Sequence, residues 1–155
     1  MNKSRPLLLS IAFCCFVMLA VAMYLQHVMD ILPCPLCVIQ RYLFLGIALA
    51  CLAGAAVGKP RLGAALGLLS AFGGLGVAGK HLYILAHPGL SCGIDPLETS
   101  LNKIFTARYM PFIFKADGLC EDVTAPFFGL SIPHWSFVWF AIFTGALIWT
   151  LTRRK

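Results

Sequence analysis

Of the seven cysteines in this chain, Cys34, Cys37, Cys92 and Cys120 stand where sulfur chemistry is possible. Cys34 and Cys37 form a Cys-x-x-Cys pair around Pro35 and Leu36. Pro33 ends the segment before it and Pro35 suits the first turn of a helix, which predicts Cys34 as N-cap and Cys37 as a first-turn residue. A helix N-terminus offers unpaired N–H groups and a partial positive charge, which lower a cysteine pKa from about 8.5 toward roughly 3.5–7.5 in such motifs. A disulfide across two intervening residues also restricts the unfolded chain little, so it serves exchange better than stapling.

Cys92 and Cys120 flank a longer stretch, for which the chain-entropy model gives about 3.6 kcal/mol of stabilisation if they are bonded. Gly93, Asp95 and Pro96 on one side and Asp117 and Gly118 on the other are residues of exposed turns that a protein partner could reach, so staple and redox pair both stand. A zinc cage from all four outer cysteines is disfavoured, because 27 residues separate the second pair and extracytoplasmic thiols oxidise. No metal is therefore expected, and Val38 after Cys37 rules out a haem attachment signature. Arg41, four residues after Cys37, shares its helical face. It could snorkel to the surface, pair with Asp30 or a backbone carbonyl, or serve as a cation beside a Cys37 thiolate. His81, next to Lys80 in an apolar run, is either a hydrogen-bonded bundle residue or a ligand-binding group; His27, His87 and His134 look like ordinary polar contacts. Cys14, Cys15 and Cys51 fall inside apolar runs, where a thiol is a small hydrophobe.

These residues need a scaffold, and the composition allows few. The chain has 155 residues, 60% apolar and 12% charged, against roughly 25% charged in soluble domains. More apolar surface than a compact domain of this size can bury must face lipid. Four apolar stretches, 7–25, 38–57, 62–85 and 135–151, can each cross a bilayer. The expected fold is thus an all-α membrane protein, a four-transmembrane-helix bundle forming one domain over 1–155. Lys3, Arg5, Lys59, Arg61, Arg153, Arg154 and Lys155 fall on one side of that arrangement, which the positive-inside rule makes cytoplasmic along with both termini. Connections 26–37 and 86–134 then lie outside with every acidic residue. The net charge of +6 is a topology signal, not a nucleic-acid footprint. The first apolar run, with Ala20, Val21 and Ala22, resembles a cleavable leader but exceeds the usual signal core of roughly 7–15 residues, so a retained helix is expected. Gly46, Ala50, Gly54 and Gly58 in the second stretch, and Gly63, Gly67, Ala71 and Gly74 in the third, predict close helix packing in an antiparallel hairpin. Residues 101–114 mix aromatic and basic side chains, which suits either a segment lying on the membrane surface or a loop folded over the bundle.

An outer dithiol that accepts two electrons must pass them on, and the chain carries no dinucleotide fingerprint, haem motif or flavin-binding domain. A quinone, ubiquinone or menaquinone, is the two-electron acceptor available in lipid, and Arg41 and His81 are the candidate donors to its carbonyls.

The motif set goes further than composition. Gln26, His27, Val28 and Met29 leading to Pro33, Cys34, Pro35, Leu36 and Cys37, then Arg41, the triplet Gly79, Lys80, His81, the step Cys92, Gly93, and Gly118, Leu119, Cys120 followed by residues 128–135 closely resemble the bacterial disulfide-bond formation protein B family, over most of the chain. That resemblance implies an inner-membrane enzyme that reoxidises a periplasmic thioredoxin-fold oxidase of the DsbA type and reduces a membrane quinone. It implies that the donor's thiolate attacks Cys92 of a Cys92–Cys120 disulfide, that Cys120 exchanges with Cys34, and that the freed Cys37 faces a quinone held by Arg41. Two competing readings are a non-enzymatic four-helix protein with structural disulfides and a vitamin K epoxide reductase-like enzyme, whose reactive pair would be expected late in the chain.

Overall fold

The computed structural model describes residues 4–87, 99–116, 118, 126–127 and 129–152; Cys92, Cys120 and the basic residues at both extreme ends lie outside them. Four helices, α1 (Ser4–His27), α2 (Pro35–Ala56), α3 (Pro60–Ala86) and α6 (Ile132–Thr152), are long and apolar enough to cross a membrane. The shortest, 21 residues, rises about 32 Å, matching a hydrocarbon core of roughly 30 Å. The protein is a multi-pass membrane helical bundle. Helices α1, α3 and α6 run past their apolar stretches at both ends, whereas α2 begins earlier, at Pro35 behind its N-cap, and stops at Ala56, just short of the end of its stretch; Pro60 opens α3. Among the described residues, the connection between α3 and α6 includes a helical turn at 99–102, the short helices α4 (Phe105–Tyr109) and α5 (Pro111–Phe114), and a hairpin of β1 (Pro126–Phe127) and β2 (Leu130–Ser131). The hairpin pairs Pro126 with Ser131 and Phe127 with Leu130, and Gly129 turns it at φ +79°.

The main core cluster runs through all four long helices, from Leu8, Ile11 and Cys15 to Phe44, Ile47 and Cys51, Ala71 and Ala78, and Phe140, Phe143 and Leu147. Cys15 and Cys51 pack as small hydrophobes, as their positions predict, and Cys14 borders them. The small residues divide their work in a way the two-helix expectation did not include. Gly54 and Gly63 form the crossing of α2 and α3, where a Cβ on Gly54 would lie 2.6 Å from Gly63 Cα. Gly74 instead faces α6: a Cβ there would fall 2.1 Å from the Phe140 ring, which stacks on Phe44 at 4.1 Å. Gly67 likewise borders Leu147, while Gly58, at φ +71°, makes the turn rather than an interface. On the opposite faces, Phe13 is 69% and Leu69 71% exposed, as lipid-facing side chains should be.

Residues 101–114 fold onto the bundle, the second of the two forms expected of them. Ala107, Phe114 and Ala116 pack on Val38, Tyr42 stacks on Phe114 at 4.2 Å and its hydroxyl bonds Thr106 Oγ1. Asn102 braces the segment, donating to the Ala116 carbonyl and accepting the Ala116 N–H, both at 3.0 Å. The other face leaves Phe105 and Tyr109 exposed. This segment is thereby fixed to the end of α2 that carries the cysteine pair.

Candidate functional site

The pair is set by the start of α2. Cys34 is extended (φ −75°, ψ 163°) and is the N-cap, as the flanking prolines predict. Its Sγ accepts the Cys37 N–H at 3.2 Å, satisfying one of the orphan donors of the first turn with sulfur. Cys34 Sγ also contacts Cys37 Sγ at 2.8 Å, and both are free thiols. Donation from Cys34 toward Cys37, reinforced by burial, pushes the Cys34 thiol well above its ordinary range, so the proton of the pair is held there.

The fold adds His81. Although 47 positions separate them, His81 Nε2 lies 3.8 Å from Cys34 Sγ, and both residues are fully buried. The ligand atoms of Cys34, Cys37 and His81 all lie within 4.8 Å of one another. Leu36 and Ile84 pack beside Cys34, so α2 and α3 close the site with apolar surface. Lys80, by contrast, is exposed.

Arg41 sits one turn below Cys37 and is only 6% exposed, so it does not snorkel. It does not take Asp30 as partner either. Its Nη1 donates to Gln26 Oε1 and to the Ile113 carbonyl, each at 2.6 Å, and its Nη2 to the Ala22 carbonyl at 3.3 Å. Three neutral oxygens from α1 and α5 therefore orient a buried cation that still lacks an anionic partner in these bonds. Asp30 serves the backbone instead: at φ 53° it turns the chain after α1, a conformation aspartate tolerates better than most residues. His27 in α1 and His87 at the C-cap of α3 each bond a carbonyl one turn back, and His134 bonds Ser131 Oγ, as ordinary polar contacts do.

Gln40 was missed in the sequence. It is 4% exposed, and its Nε2 has no hydrogen-bond partner among the described residues. A polar residue in an apolar span, three positions from a cysteine on the same helix, was the available signal. In the sequence Gly118 stands out as part of an exposed turn and of the Gly118, Leu119, Cys120 motif, but its contact is not readable there. Its N–H bonds the Pro33 carbonyl at 3.1 Å, and a Cβ there would lie 2.3 Å from the Leu32 carbonyl oxygen. The stretch that leads to Cys120 is thus seated beside the residue preceding Cys34.

With this geometry in hand, comparison with known proteins is decisive. The family model described as "Disulfide bond formation protein DsbB" matches residues 4–150. The chain belongs to the DsbB family. A relative from Herminiimonas arsenicoxydans named Disulfide bond formation protein B is 55% identical, with 100% of this chain and 99% of that protein aligned. Proteins of the same name from Ralstonia nicotianae and Burkholderia pseudomallei are 44% and 39% identical, covering 99% and 100% of this chain and 97% and 94% of theirs. DsbB membership and the four spans make this a membrane protein of disulfide bond formation, with Cys34 and Cys37 close together as that chemistry needs.

Proposed function

We propose that the chain is a protein-dithiol:quinone oxidoreductase of the bacterial inner membrane, with both termini cytoplasmic and the sulfur site on the periplasmic side. The observation that carries this reading is the cluster of Cys34, Cys37 and His81 at the buried head of α2, with Arg41 one turn away. The donor is a reduced thioredoxin-fold oxidase of the DsbA type. Its thiolate attacks Cys92 of a Cys92–Cys120 disulfide, forming a donor–Cys92 bond and releasing Cys120 as thiolate; the donor's second thiol then displaces Cys92, and the donor leaves oxidised. Cys120 attacks Cys34 of an oxidised Cys34–Cys37 pair, forming a Cys34–Cys120 bond and freeing Cys37; Cys92 then attacks Cys120 and displaces Cys34, which restores the Cys92–Cys120 disulfide and leaves Cys34 and Cys37 as the reduced pair that passes on two electrons and two protons. Gly118, held at Pro33, supports this exchange, because two residues of chain span at most about 7 Å.

The residues around Cys37 suit a quinone, which has an apolar ring and two carbonyl acceptors. Leu36 and Ile84 offer apolar surface, and Gln40 Nε2 is a buried donor with capacity to spare among the described residues. Arg41 and His81 are the further candidates to hold it. A quinone takes up two electrons and two protons and leaves as quinol. The protein's part is to keep Cys37 beside the cation of Arg41, to hold the pair's proton at Cys34, and to exclude water with α2 and α3. DsbA-type donors are strong oxidants, near about −120 mV, so the acceptor must be more oxidising still.

The test is anaerobic quinone reduction by a reduced thioredoxin-fold donor, followed by quinone absorbance. Cys34→Ser and Cys37→Ser should each abolish it while Cys51→Ala leaves it nearly intact. Equal rates in all three variants would remove the assignment.

A further inference from the structure

We propose that the reduced cysteine pair and His81 form a three-ligand site for a zinc-class divalent ion, and that occupancy of this site arrests the enzyme. The ligand set stands on geometry alone; the arrest rests on the function proposed above. Two sulfurs and one imidazole nitrogen from α2 and α3 converge within 4.8 Å. Zn–S bonds of about 2.3 Å and a Zn–N bond of about 2.0–2.1 Å in a tetrahedron require roughly 3.8 Å between sulfurs and 3.6 Å between sulfur and nitrogen. Cys34 Sγ and His81 Nε2 already stand 3.8 Å apart. The sulfurs, 2.8 Å apart, must part by about 1 Å. Rotation of the Cys37 side chain, the less buried of the two, can supply this.

Charge favours the same ion. Two thiolates cancel a dication and neutral imidazole adds nothing, so the complex enters the apolar head of the bundle without net charge. The Cys37 N–H that already points at Cys34 Sγ would stabilise the metal-bound thiolate. On binding, both thiols release their protons to solvent, two Zn–S bonds and one Zn–N bond form, and no electron moves. A disulfide offers no such thiolates, so the ion is taken up only by the reduced state, the state that must hand its electrons on. Three protein ligands leave the fourth position to a single water that enters with the ion. The outer cysteine pair is not needed, which separates this site from a four-cysteine cage.

Cobalt(II) tests the site through its colour. Added anaerobically to the reduced full-length chain in detergent, it should give thiolate-to-cobalt charge transfer and intense tetrahedral d–d bands. These should survive in a Cys92→Ser, Cys120→Ser variant, disappear in Cys37→Ser and in the oxidised chain, and need more than about 10-fold more cobalt in His81→Ala. Bands that persist in Cys37→Ser, or that vanish with the outer pair, overturn the site. Should His81→Ala fail to fold, the cysteine variants decide alone. Zinc should also stop quinone reduction, with recovery on adding a chelator. Cobalt bands without quinone reduction in the unmodified chain would refute the proposed function and leave the site standing; quinone reduction without the bands would refute only the site.

Discussion

Replacing Gly118 with alanine probes how the outer loop reaches the cysteine pair. In the native geometry the Gly118 N–H bonds the Pro33 carbonyl at 3.1 Å, directly before Cys34. An alanine Cβ would sit 2.3 Å from the Leu32 oxygen, 2.8 Å from its carbonyl carbon and 3.2 Å from its Cβ. The two nearest atoms are backbone and cannot swing away, so residue 118 must retreat by about 1 Å to restore ordinary contact, which stretches the bond beyond useful length. A lost neutral hydrogen bond is worth about 0.5–1.5 kcal/mol, or roughly 2- to 13-fold in the population of the docked arrangement. Stopped-flow quinone reduction driven by a reduced thioredoxin-fold donor should therefore slow by that factor in Gly118→Ala. With a small dithiol as reductant in a Cys92→Ser, Cys120→Ser background, which bypasses the loop, the same change should leave the rate within about 2-fold, the low end of that range. An unchanged donor-driven rate, or an equal fall in both reactions, would refute docking as the role of Gly118.

Other perturbations test separate parts of the account. Arg41→Ala removes a buried, charge-assisted donor worth about 1.5–3 kcal/mol, so the quinone KM should rise roughly 10- to 150-fold; an unchanged KM would return Arg41 to a purely structural role. Gln40→Leu, close in shape but without the amide, should raise the quinone KM by about 2- to 13-fold while thermal stability holds or improves, since a buried donor with no partner among the described residues is removed. Gly74→Ala drives a methyl into the Phe140 ring and should destabilise the bundle by about 1–3 kcal/mol, with partial recovery in Gly74→Ala, Phe140→Leu; additive losses in detergent unfolding would deny the contact.

What could be read from the sequence was what repeats along it. Apolar runs of bilayer length give the spans without further help, and Pro35 behind Cys34 gives the cap because proline and an N-terminal acceptor act locally. Cys15 and Cys51 were readable as core for the same reason. His81 could be noticed as a costly residue in an apolar run, but not placed against Cys34, since that contact depends on how α3 is rotated and packed on α2. Arg41 shows the limit most clearly. Its face on α2 follows from periodicity, yet its acceptors on Gln26, Ala22 and Ile113 come from three distant points of the chain. The seating of Gly118 on Pro33 leaves no trace in composition or period. Local chemistry was legible; the long-range contacts that turn it into a site were not.

The central claim is that electrons entering as donor thiols leave through Cys37. A single-turnover anaerobic reaction of limiting reduced donor with excess quinone measures it most directly, scoring donor disulfide by mass and quinol by absorbance. The account predicts one quinol for each donor disulfide with native protein and none with Cys37→Ser. Donor oxidation without quinol, or quinol formed at the full rate by Cys37→Ser, would contradict it.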